Sequence, residues 1–168
     1  TSIANSGTIS GGGGSAPAAI NNLGTLGTLA NSGLIKGDVI STSSSSLNLQ
    51  GGTGSTFGTF TGYTTSSTPV IGSISNTSSN INFSSGNILL NDNVDAGAFA
   101  LNNTGTGVLQ IDNPFTISGN DNQGSSATLQ IGVASGATTS GTSSDSGYGR
   151  FNVTGAATVA PACSIVLF

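Results

Sequence analysis

The sequence predicts an all-β chain folded as a parallel β-helix with coils of about 20 residues. Three observations predict it. Three good helix formers are nearly missing, with one lysine, no glutamate and no methionine. Short aliphatic runs recur at a fixed spacing: Ile88-Leu89-Leu90-Asn91, Val108-Leu109-Gln110-Ile111 and Thr128-Leu129-Gln130-Ile131. Between the runs lie Gly, Asn and Ser, the residues that turn a backbone at least steric cost. A β-sandwich is the alternative, since short strands with frequent turns suit it too.

The strand candidates follow in order. Leu47-Asn48-Leu49 and Pro69-Val70-Ile71 lie near earlier multiples of the 20-residue period. Ile81-Asn82-Phe83, Phe99-Ala100-Leu101 and Phe115-Thr116-Ile117 are secondary strands in which apolar residues alternate with others, as on a strand with one buried face. One coil cannot bury enough apolar surface to offset its ordering entropy, whereas stacked coils share one interior. The rhythm places Leu89, Leu109 and Leu129 above one another in that interior, with eight coils in the stack. Gly11–Ser15, Ser41–Ser46 and Ser135–Ser146 carry few strong apolar residues and are expected to leave the stack as loops. Pro114 lacks an N–H donor and weakens the ladder near it. Residues 1–147 thus form the repeat region. Residues 148–168 are denser in apolar side chains and form a C-terminal β cap or the start of a following β domain.

Composition excludes several functions. Only Lys36 and Arg150 are basic, and the net charge is −4, so no cationic stripe exists for nucleic acid or anionic lipid. No run reaches the apolar length of a membrane helix. Histidine is missing, which removes the usual triads and zinc motifs. Cys163 stands alone; it is either a small buried apolar residue or the partner of a cysteine outside this chain.

The acidic inventory is Asp38, Asp92, Asp95, Asp112, Asp121 and Asp145. Stacked coils would set Asp92 beside Asp112. A carboxylate pair serves glycoside hydrolysis, and Asp92, Asp95 and Asp112 are weak calcium candidates. Solvated turn aspartates are the plainer reading, so no catalytic residue, metal or other cofactor is expected and the chain is not read as an enzyme. Tyr63 and Tyr148, each beside a glycine, are weak candidates for a ligand-binding platform.

A phrase of Asn, any residue, Gly, any residue, aliphatic recurs as Asn5-Ser6-Gly7-Thr8-Ile9, Asn22-Leu23-Gly24-Thr25-Leu26 and Asn31-Ser32-Gly33-Leu34-Ile35. With its flanks it resembles the repeat regions of bacterial autotransporter passengers and large surface adhesins, over about a quarter of the chain. That resemblance implies a right-handed β-helix outside a Gram-negative cell, with roles in adhesion, biofilm and host contact. Phe151-Asn152-Val153-Thr154 through Cys163-Ser164-Ile165 resembles the first strand of a chaperone–usher pilin subunit, although the second cysteine of that family is missing. Both imply a cell-surface adhesive role. The expected partners are a host or surface glycan or protein receptor, or other subunits of a surface fibre. A carbohydrate-binding module and a surface glycosidase or lyase on a β-helix are the alternatives.

Overall fold

A computed structural model describes residues 1–12, 17–63, 70–135, 137 and 147–168. Among these there is no helix, and hence none long and apolar enough to cross a membrane. The strands are β1 (Ser2–Asn5), β2 (Thr8–Ser10), β3 (Ala18–Asn22), β4 (Thr28–Asn31), β5 (Leu34–Lys36), β6 (Asp38–Ser41), β7 (Leu47–Gln50), β8 (Gly58–Thr61) and β9 (Gly72–Asn76). They continue as β10 (Ile81–Ser85), β11 (Asn87–Asn103), β12 (Val108–Ile111), β13 (Pro114–Gln123), β14 (Thr128–Ile131), β15 (Arg150–Val153), β16 (Ala157–Val159) and β17 (Ser164–Leu167). All pairings between these strands are parallel, in a sheet that is nearly barrel-shaped.

The pairings resolve into three columns. The first runs β1, β4, β7, β10, the end of β11, the end of β13, then β16. The second runs β2, β5, β8, the start of β11, β12, β14, β17. The third runs β3, β6, β9, the middle of β11, the start of β13, β15. The chain visits the columns in rotation, so each circuit lays one level on the last. Seven levels result among the described residues, one fewer than the even 20-residue rhythm suggests.

Alternation explains the core. Inward positions carry Leu29, Leu49 and Phe83 in the first column, Ile35, Phe60, Leu90 and Ile111 in the second, and Val39, Ile74, Val94 and Ile117 in the third, all buried in one cluster. Each buried aliphatic contributes roughly 1.5–3 kcal/mol.

The interior register differs from the 20-residue expectation by one residue at one level. Leu109 does lie beside Leu129, but its neighbour below is Ile88. Leu89 pairs with Gln110 and is only half-buried. Because side chains alternate, that one-residue slip turns Leu89 outward and Ile88 inward.

The Asn-x-Gly phrase is a corner device. Asn5 Oδ1 accepts from Gly7 N (3.2 Å), and Asn31 Oδ1 from Gly33 N (3.2 Å). Asn5 Nδ2 donates to Asn31 Oδ1 (2.8 Å), stacking the two corners. Asn22 makes the same turn to Gly24 N, but at a different corner, between the third and first columns. On the outer face of the first column, Asn122 donates to Asn102, Asn102 to Asn82, and Asn82 to Asn48, each at 2.8 Å. This amide ladder ties four levels together.

Residues 42–46 are a regular corner leading from β6 to β7, not a loop leaving the stack. They are held by backbone N–H bonds to Ser41 and Ser43 hydroxyls. Pro114 opens β13, where its missing N–H is tolerated, and pairs with Arg150. Residues 148–168 stay on the stack: β15 to β17 pair in parallel with β13 and β14.

Candidate functional site: the edge between the second and third columns

The level-to-level spacing shows where the chain is lengthened. Ile3 lies beside Leu29, Leu29 beside Leu49, Leu49 beside Phe83, Phe83 beside Asn103, Asn103 beside Gln123 and Gln123 beside Val159. Three of those steps are about 20 residues and three are longer. Most of the extra length leaves at one corner, between the second and third columns. There β2 and β3 are separated by 11–17, β8 and β9 by 62–71, and β14 and β15 by 132–149. At the levels between, the same corner is the single Gly37, a two-residue link at 112–113, or unbroken strand in β11. Gly37 has φ +123°, and a Cβ there would run into Pro17 O of the level below, so only glycine makes that tight turn.

The feet of the long connections are clasped by backbone bonds. Gly62 N donates to Val70 O (2.8 Å), and Ala134 N to Gly147 O (2.6 Å), beside an antiparallel bridge of Val133 with Tyr148. The expected loops Gly11–Ser15 and Ser135–Ser146 fall at this corner, though 13–16, 136 and 138–146 lie outside the described residues.

The same edge gathers most of the chain's chemistry. Lys36 Nζ lies 5.5 Å from the ring centre of Tyr63, and Arg150 Cζ lies 5.7 Å from that of Tyr148. Both basic residues and both tyrosines of the chain are therefore here, each cation over a ring. Asp38, Asp92 and Asp112 share the edge. Asp38 Oδ1 accepts from Ser73 N (2.9 Å), and Asp92 Oδ1 from Gly72 N (2.9 Å).

Asp92 and Asp112 are not brought together, contrary to the 20-residue reading. The turn at Asp112-Asn113 lengthens that circuit, so Val94 pairs with Ile117. Asp92 is turned into the interior and fully buried, with Oδ2 lacking a hydrogen-bond partner. Burial pushes its carboxyl up to about 7, helped by the charge of Asp38 and opposed by the Gly72 N–H. Asp112 is exposed and accepts both bonds of the Gln110 amide (3.0 and 3.2 Å). Asp95 lies in the third column and caps Gly97 N (3.1 Å). The three weak calcium candidates thus face three ways, and no group of three metal-binding side chains gathers among the described residues.

Asp121 is a buried acid that the sequence gives no sign of. It occupies the inward position above Leu101, and Gln123 Nε2 donates to it (2.9 and 3.2 Å) while Gln123 Oε1 accepts from Asn103. Burial raises its carboxyl to about 6, against the lowering effect of Gln123. Cys163 is half-buried in the turn between β16 and β17; burial, then the charge of Asp121, raises its thiol.

Two depressions border the edge near Tyr148. One, of about 430 Å³, is lined by Asp112, Asn113, Gly132, Val133, Tyr148 and Phe168, among others. The other, of about 620 Å³, is apolar, lined by Ile111, Leu129, Ile131, Phe151 and Leu167 with Tyr148 and Arg150 at its rim. No family model, curated protein or solved structure matches the chain.

Proposed function

We propose that the chain is an extracellular adhesive segment of a bacterial surface protein, built as a parallel β-helix that displays its long connections along one edge. The hand proposed, right, is that of the adhesin repeats it resembles. Parallel pairing in three columns supports this fold over a β-sandwich, whose strands run antiparallel. The observation that carries the functional reading is the placement of the two longest connections, 62–71 and 132–149, at one corner together with 11–17; the other seven-residue connection, 51–57, lies between the first and second columns. A stacked scaffold holds that edge rigid while the connections vary, which is how binding residues are commonly presented. The partner is a host or surface glycan or protein receptor.

The test is attachment of beads coated with the chain to epithelial cells, matrix proteins and glycan-coated surfaces. In a variant, residues 11–17, 62–71 and 132–149 are replaced by short corners of the Gly37 kind. The expected result is attachment reduced at least tenfold with the β-sheet circular dichroism retained. Undiminished attachment by this variant contradicts the reading. A carbohydrate-binding role is the second reading, favoured by the depression beside Tyr148 that Asp112 and Asn113 line.

A further inference from the structure

We infer that the depression of about 430 Å³ at the loop-bearing edge is a binding site for a neutral saccharide unit, recognised through adjacent hydroxyls. The inference rests on the adhesive reading and supplies a ligand class for it. The size lies within the range of small-molecule sites. Its chemistry comes from three side chains on the turn after β12 and the foot of the last long connection.

Asp112 and Asn113 are consecutive and both exposed. A carboxylate has about four lone-pair positions, and Asp112 uses two on the Gln110 amide, so acceptor capacity remains for hydroxyl donors. The Asn113 amide brings donors and an acceptor. Its Nδ2 reaches Asn91 Oδ1 at 3.3 Å, which fixes its direction from the level below. Two planar polar groups side by side match two neighbouring ring hydroxyls, one donating and one accepting. Tyr148 supplies the apolar face against which the C–H side of a sugar ring packs. Arg150 lies 5.7 Å over the Tyr148 ring and orients it.

A Cβ on Gly132 would lie 2.8 Å from Asp112 Oδ1, so an alanine there would make the exposed carboxylate swing aside. Pro114 follows the pair and stiffens the turn. Asp112 is the one charged side chain in the described lining, with Arg150 outside it over the Tyr148 ring, and its carboxylate disfavours uronic and sialic acids in favour of a neutral sugar.

The experiment is saturation-transfer NMR with the full chain and four probes: the methyl glycosides of glucose, galactose and mannose, and N-acetylglucosamine. Glucuronic acid is the charged comparison. The expected result is transfer to at least one neutral probe, strongest on its ring C–H protons, and none to glucuronic acid. Tyr148→Ala and Asp112→Asn each weaken that binding at least tenfold, whereas Tyr63→Ala, three levels away along the edge, leaves it unchanged. Thermal melts confirm that each variant is folded, and Tyr148→Phe, which keeps the ring, retains binding. No transfer to any neutral probe, preference for glucuronic acid, or full binding by folded Tyr148→Ala overturns the inference. Attachment in the bead assay that survives Tyr148→Ala overturns this site while leaving the adhesive reading standing. Attachment that survives the short-corner variant overturns the adhesive reading itself.

Discussion

Replacing Asp92 with asparagine is expected to make the protein more stable, by an amount that grows from about pH 4 and levels off above about pH 7. Burial raises the folded carboxyl to about 7 from an ordinary value of 3.8. Below about pH 4 the group is protonated in both states and costs nothing extra. Between about pH 4 and 7 the unfolded chain releases the proton while the folded one holds it. Stability therefore falls by about 1.4 kcal/mol per pH unit over that window. Above 7 the loss levels off, on the order of 4 kcal/mol. Asparagine keeps an oxygen for the Gly72 N–H and never ionises. At pH 8 the variant should melt higher by about 8–16 °C, using roughly 2–4 °C per kcal/mol for a chain of this size. At pH 4 the two should melt together. The assay is thermal unfolding by circular dichroism at half-unit steps from pH 4 to 8. A variant that melts no higher than the parent at pH 8, or that retains the parent's pH slope in full, refutes the argument from burial.

Other substitutions test separate parts of the account. Asp121→Asn should remove the corresponding loss between about pH 4 and 6, its folded value being raised to about 6, and the same melts will show it. Ile88→Ala should cost about 2–5 kcal/mol in urea unfolding, whereas Leu89→Ala should cost under about 1 kcal/mol; equal costs would mean the register is misplaced. Asn102→Ala removes two rungs of the amide ladder and should cost about 1–3 kcal/mol, with far smaller effects from Thr106→Ala on an exposed corner.

Much of the architecture is legible in the sequence because stacking repeats its own demands. Leu109 and Leu129 are 20 residues apart and do touch, since that circuit has only short corners. Asn5 and Asn31 announce their turns because an Asn side chain can bond the N–H two residues on, and a glycine follows where the chain bends. The rhythm misleads wherever a corner changes length. One extra residue turns Leu89 outward, and the longer turn at Asp112-Asn113 parts two carboxylates that an even spacing would pair. Neither change leaves a mark in local composition, because Gly, Ser and Asn fill short and long corners alike.

The edge is harder to read from the sequence than the core. Lys36, Tyr63, Asp112, Tyr148 and Arg150 are spread over more than a hundred positions, and only the circuit count brings them to one side. Tyr63 and Tyr148 are recognisable as rings beside glycines, and Arg150 follows Tyr148 by two positions, but Lys36 reaches Tyr63 only in space, from the level below. Asp121 sits in a column otherwise filled by Leu47, Ile81 and Leu101. Its burial depends on the phase of the preceding turn, which the alternation near Gly119 does not fix.

The stacking itself is tested most directly by distances between spin labels on the outer face of the second column. With Cys163 replaced by serine, one label at Val166→Cys is paired in turn with Thr8→Cys and Thr59→Cys. Adjacent parallel strands lie about 4.8 Å apart, so six and four levels predict backbone separations of about 29 and 19 Å, a difference of about 10 Å. Pulsed electron–electron resonance resolving that difference supports one level per circuit. Equal distances, or a shorter one for Thr8, contradict it.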